Sequence, residues 1–173
     1  MSETPDMAQS PLSEQAQVAY DVLCEIVQGM GFPAPVTITV QETSEQIVLD
    51  LRSDEPMGQL IGKGGQTLNA LELLVKQIIQ HKTREHGKFI MIDAEGYRER
   101  QQARLREMTH EAAREVLETG ESVALEPMSP RDRRTIHTAA AEIDGVQTYS
   151  EDDEPYRHVV ICLAGQKPAW AME

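Results

Sequence analysis

The sequence predicts an α+β protein of two small domains in series. Three observations carry this. Residues 12–93 switch between helical and strand periodicities in the order α-β-β-α-α-β. A glycine-rich turn, Gly62-Lys63-Gly64-Gly65, falls between the second and third of those helices. Residues 97–163 then carry a long charged helix, a second helix with a strong start signal and a closing strand.

Residues 1–11 are polar, hold Pro5 and Pro11, and read as a loose tail. From Leu12 onward, Ala19, Leu23, Ile26, Val27 and Met30 recur at helical spacing, and Gly29, Gly31 and Pro33 end the helix. Val36, Ile38 and Val40 alternate with threonines; Ile47, Leu49 and Leu51 alternate again after a polar turn over Glu42–Glu45, which reads as a hairpin. A short helix follows near Met57, then the glycine turn, then a long helix with Leu68, Leu71, Val75, Ile78 and Ile79 on one stripe. Phe89 to Ile92 reads as the third strand and completes a first domain over 12–93.

The second domain, 97–163, opens with a charged helix over 97–119 that places Leu105, Met108, Ala112 and Val116 on one face and closes at Gly120. Ser122 to Leu125 reads as a strand. Ser129-Pro130-Arg131-Asp132 is a helix start, with a serine cap, proline at the first position and an acid at the third; the helix is expected to run to about Ile143. Tyr149 to Pro155 reads as an acidic turn and Arg157 to Leu163 as the last strand, leaving a tail over 164–173 that contains Trp170.

Composition sets limits. The longest apolar stretches are short and charge-broken, so no segment suits membrane insertion, and the N-terminus lacks the pattern of a secretory signal. Cys24 and Cys162 lie far apart with no partner pattern and read as reduced thiols of a cytoplasmic protein. The net charge of -13 argues against a nucleic-acid partner at first sight, but its distribution is uneven. Residues 1–50 hold eight acids and no Lys or Arg, whereas 51–115 hold eleven basic residues against ten acids. Salt screens exposed charges beyond about 8–10 Å, so the local field decides what a site attracts; the acidity predicts modest affinity.

The glycine turn is the most informative segment. A nucleotide-binding P-loop needs Gly-Lys followed by Ser or Thr after a buried strand; here Lys63 is followed by Gly64, and Pro56–Leu60 is no such strand. A turn between two helices instead offers backbone N–H groups and the positive end of a helix dipole to an anion. Glycines let a phosphate backbone approach, Lys63 adds a point charge, and Leu60, Ile61 and Leu68 are placed to meet bases. A G-x-x-G match alone also fits a plain helix connection; its position in the α-β-β-α-α-β order is what makes it specific. Residues 12–93 resemble a KH domain of the prokaryotic arrangement. That resemblance implies that Gly62, Lys63, Gly64 and Gly65 clamp about four nucleotides of single-stranded backbone, with Ile61 matching the family's aliphatic residue before the first glycine.

Arg133 and His137 lie four residues apart, one turn along the same helix face, where a guanidinium and an imidazole can share one phosphate. Arg131 and Arg134 add charge. Spacing alone favours a structural histidine beside the apolar stripe of Ile136, Ala140 and Ile143 over a ligand. The segment Glu126 to His137, with Tyr149-Ser150 and Glu154 to Val160, is similar to the R-three-H domain. The order of the two domains resembles the Jag family, also called SpoIIIJ-associated or KhpB proteins, over about residues 12–163.

The resemblance implies a bacterial cytoplasmic protein that binds single-stranded RNA, or single-stranded DNA, in post-transcriptional or cell-envelope-related regulation. Arg133 and His137 are its signature pair, and a small stand-alone KH protein is an implied partner. Many members carry a further N-terminal domain and a basic linker. Nothing here corresponds, so functions tied to that domain are not expected. The alternative is a protein-interaction adaptor that pairs with another KH protein.

The remaining features add little chemistry. Arg98, Arg100, Arg104, Arg106 and Arg114 form either a solvated ion-paired helix face or a basic ridge that guides RNA. His81 and His86 lack partners at metal spacing, the acids at 151–154 lack a calcium-loop pattern, and neither cysteine has a catalytic neighbour. No catalytic residue, metal or cofactor is expected, and the chain does not read as an enzyme.

Overall fold

The computed structural model describes residues 12–83 and 88–166. The readings for residues 1–11, His86 and residues 167–173 lie outside the described residues. The chain divides into two compact units, parted between Tyr97 and Arg98.

The first unit follows the order α1 (Glu14–Gly29), β1 (Thr37–Glu42), β2 (Gln46–Arg52), α2 (Gly58–Ile61), a 3₁₀ turn (Lys63–Gly65), α3 (Gln66–Thr83) and β3 (Phe89–Ala94). Ser13 caps α1 by accepting from the Ala16 amide at 3.2 Å. β1 and β2 form the expected hairpin, antiparallel with Val40 opposite Leu49. β3 lies parallel to β2 on its other side, with Ile92 opposite Leu49. A parallel pair needs a long crossover, and α2, the glycine turn and α3 supply it. Alternate residues of β2 and β3 point into one core: Ile47, Leu49, Leu51, Ile90 and Ile92 are buried against Ala19 and Leu23 of α1 and Leu68, Leu71, Val75 and Ile79 of α3. The glycine turn is therefore fixed between two helices anchored on one sheet.

The second unit contains α4 (Tyr97–Thr119), β4 (Val123–Ala124), α5 (Pro130–Ala140), β5 (Val146–Glu151) and β6 (His158–Leu163). The sheet order is β4-β6-β5, all antiparallel. Leu105, Ala112, Ala113 and Val116 of α4 and Ile136 of α5 pack on Val159 and Ile161 of β6. Thr109 is fully buried among them, its hydroxyl donating to the Leu105 carbonyl at 2.7 Å.

The fold class matches the expectation, and two local readings need correction. α5 ends at Ala140 rather than Ile143, because the Glu142 and Ile143 amides turn back to the Ala139 and Ala140 carbonyls in a tightened last turn. The expected acidic turn over Tyr149–Pro155 is half strand. Tyr149, Ser150 and Glu151 belong to β5, paired with Val160, Val159 and His158, and the chain reverses only over Asp152–Arg157. Every residue of β5 is half-buried, so it shows no clean inside–outside alternation.

Candidate nucleic-acid interface

The first site is the glycine turn. α2 ends when Gly62 adopts φ 74°, a left-handed value that a side chain disfavours. The turn closes on itself: the Gly62 amide donates to Gly58 O at 2.8 Å and the Gly65 amide to Gly62 O at 3.2 Å. The bare backbone is required twice over. A Cβ on Gly62 would lie 2.8 Å from the Thr67 nitrogen, and one on Gly65 would lie 2.8 Å from Cε1 of Tyr97. Gly64 differs, with φ 58° and open space where a Cβ would sit. Lys63 and Gly64 form the exposed apex, whereas Gly65 is buried. Leu60 and Leu68 are fully buried in the core, so they cannot meet bases as the sequence reading expected; Ile61 keeps part of its surface exposed.

The second site is built on α5. Ser129 caps the helix by accepting from the Asp132 amide at 3.2 Å, Pro130 opens it, and fully buried Ile136 locks it to the sheet. This leaves Arg133, Arg134 and His137 along an open groove of about 480 Å³, lined also by Pro130, Thr138, Ala141 and Ser150. Arg131 is exposed but does not line this groove; it faces a second concavity with Arg106 and Arg134.

His137 is held on both sides. Its Nδ1 lies 2.7 Å from the Thr148 hydroxyl and its Nε2 lies 3.0 Å from the Ser150 hydroxyl. Thr148 and Ser150 are two apart on β5 and so face the same way. A neutral imidazole has one donor and one acceptor nitrogen, and hydroxyls satisfy either tautomer. Burial pushes the His137 pKa below its ordinary value, and the Arg133 charge lowers it further. The Arg133 side chain is only 12% exposed; its Nη2 donates to Glu154 Oε1, and its Nε is buried with no hydrogen-bond partner among the described residues.

The α5 residues are legible from their spacing in the sequence, but their partners are not. β5 supplies both hydroxyls on His137, and the following turn supplies the carboxylate on Arg133. A signal was present in Val146-Gln-Thr-Tyr-Ser150, whose β-branched and aromatic residues favour a strand. Among the described residues no group of three or more His, Cys, Asp or Glu is placed to hold a metal ion. No helix among them is long and apolar enough to cross a membrane.

Comparison with known proteins assigns both halves. The family model described as the KhpA/KhpB KH domain matches residues 20–90, and that of the R-three-H domain matches residues 103–163. The fold and these matches thus define a protein with a KH domain and an R-three-H domain in tandem. The protein named RNA-binding protein KhpB in Clostridium symbiosum is 36% identical over 145 residues, covering 84% of this chain and 64% of that protein. That of Bacillus subtilis (strain 168) is 32% identical over 150 residues, covering 86% and 69%, and that of Streptococcus pneumoniae (strain D39) is 33% identical over 148 residues, covering 84% and 44%. The chain belongs to the KhpB family. It spans between about two fifths and two thirds of the length of the relatives it matches.

Proposed function

We propose that this chain is a non-catalytic, cytoplasmic binder of single-stranded RNA that grips the phosphate backbone at two places. One is the turn formed by Gly62, Lys63, Gly64 and Gly65, flanked by Ile61. The other is the α5 face of Arg133 and His137, with Arg134 beside them and Arg131 on the neighbouring flank. The relatives' name supports RNA as the ligand, and the site chemistry would also accept single-stranded DNA.

The observation that carries the reading is the α5 groove. In a chain of net charge -13, two guanidiniums and an imidazole line one open concavity, with Arg133 held rigid by burial. At the glycine turn, an exposed lysine and an unhindered glycine sit at the apex beside the start of α3. A post-transcriptional or envelope-related regulatory role would follow from the transcripts so bound.

The test is binding of a labelled single-stranded RNA dodecamer to the whole chain across a salt series. Arg133→Ala is expected to weaken binding and to reduce the slope of log affinity against log salt by about 0.7. An unchanged slope removes Arg133 from the interface.

A second reading, pairing with a small KH protein as an adaptor, is favoured by Leu73 and Leu74. They are adjacent aliphatic residues on α3, 56% and 46% exposed. Light scattering of the chain with and without a purified KH protein, in the presence and absence of RNA, separates the two readings.

A further inference from the structure

Arg134 and Thr138 are exposed and one turn apart on α5, and they form a ridge with a concavity on each side. One is the groove of Arg133 and His137. The other, about 190 Å³, lies between α5 and α4 and is bounded by Arg106 and Gln102 of α4, by Arg131 and Thr135 of α5 and by Glu142 in the turn after it. The Thr135 and Thr138 hydroxyls donate back to the Arg131 and Arg134 carbonyls, at 3.3 and 2.9 Å, so their protons point into the helix. Three guanidiniums therefore face this concavity against one carboxylate, in a strongly acidic chain.

We propose that the α4–α5 concavity is a second phosphate subsite for the same nucleic-acid strand, with Arg106 as the residue that completes it. The inference rests on the reading of α5 as a phosphate-binding helix. Arg134 belongs to both concavities, so an anion leaving the first groove meets no break in positive charge before reaching the second. The ridge is no wider than one helix with its side chains, about 10–12 Å, which about two nucleotides of an extended strand bridge. A ligand with charges repeated along a flexible chain fits such a pair of sites, and guanidinium forks suit phosphate oxygens. Arg106 is exposed, so its removal leaves the core untouched.

The experiment uses the whole chain with oligouridylates of two and twelve nucleotides over a salt series. Arg106→Ala is expected to weaken dodecamer binding about fivefold and to lower its salt slope by about 0.7, with Arg106→Lys recovering most of the slope and binding of the dinucleotide, which is too short to cross the ridge, changing less than twofold. Thermal melting checks that each variant is folded. An unchanged dodecamer slope in Arg106→Ala, beside a reduced slope in Arg133→Ala, overturns the subsite and leaves the α5 site standing. Equal weakening at both lengths also overturns it, because that is the signature of a general field. Unchanged slopes in both variants sink the parent reading and the subsite with it. Release of a polyglutamate peptide from the chain by Arg106→Ala, with no effect on RNA, assigns the concavity to a protein ligand instead.

Discussion

Glu154 pairs with the guanidinium of Arg133, a residue that lines the α5 groove. Arg133 is almost buried, at 12% exposed, whereas Glu154 remains 55% exposed on the turn between β5 and β6. The carboxylate thus sits where an incoming phosphate would compete for the same donor. Glu154→Gln is expected to raise affinity for single-stranded RNA several-fold at low salt and to steepen its salt dependence. An exposed partner contributes at most about 1 kcal/mol to folding, so the melting temperature should move little. Weaker RNA binding in this variant, measured by fluorescence anisotropy, would mean that Glu154 orients Arg133 for the ligand instead of competing with it.

His137 couples the groove to pH. Its folded pKa lies below the ordinary value of 6.5, through burial and then Arg133. A group that binds protons more readily when unfolded stabilises the fold above its unfolded pKa, and that contribution is lost as pH falls through about 6.5 toward the lower folded value. Denaturant midpoints should therefore decline from pH 7.5 to 5.5, and His137→Gln should flatten that decline. A bound phosphate acts in the opposite sense by favouring the imidazolium. RNA affinity of the native chain should rise over the same interval, and a flat affinity profile would exclude proton uptake at His137.

The parts of the molecule legible in the sequence are those where one face is dry. Ile47, Leu49 and Leu51 are at most 1% exposed and announce β2 by their alternation. The stripe of Leu68, Leu71, Val75 and Ile79 announces α3 in the same way. β5 was missed because no residue in it is fully buried or fully exposed, so periodicity has nothing to report. The site followed the same division. Arg133 and His137 share a helix face and could be read from spacing. Their partners Glu154, Thr148 and Ser150 lie 21, 11 and 13 residues away and meet them only through the packing of α5 on the sheet. The glycine turn was visible, but the Tyr97 ring lying against Gly65 was not, because nothing local links the two.

That ring divides the two glycines as targets for mutation. Gly65→Ala places a Cβ 2.8 Å from Tyr97 Cε1 at a residue with φ 77°, so it should cost about 2 kcal/mol or more in a denaturant melt. Gly64→Asp meets open space, and aspartate tolerates the left-handed region, so its cost should stay near ~1 kcal/mol. It places a carboxylate at the apex beside Lys63, and RNA binding should fall at least tenfold in a protein that still folds. Unaltered binding by folded Gly64→Asp would remove the glycine turn from the interface.

Acid should loosen the first unit at one identifiable point. Glu42, at the end of β1, accepts from the Ser13 amide at 2.9 Å and from Lys88 Nζ at 2.7 Å, tying the start of α1 and the approach to β3 to the hairpin. Burial raises its pKa, but the hydrogen bonds from Lys88 and Ser13 and the Lys88 charge outweigh that, bringing it from 4.5 to about 2. A depressed carboxylate stabilises the fold above its unfolded pKa, so this contribution is complete above 4.5 and drains away as pH falls toward 2. Glu42→Gln keeps the shape but exchanges a charged acceptor for a neutral one, and should cost about 1–2 kcal/mol at pH 7. The cost should shrink as the pH is lowered, until variant and native chain unfold at similar denaturant concentrations near pH 2. A deficit that stays constant across the acid range would show that the loss comes from altered packing, with the ionised carboxylate playing no part.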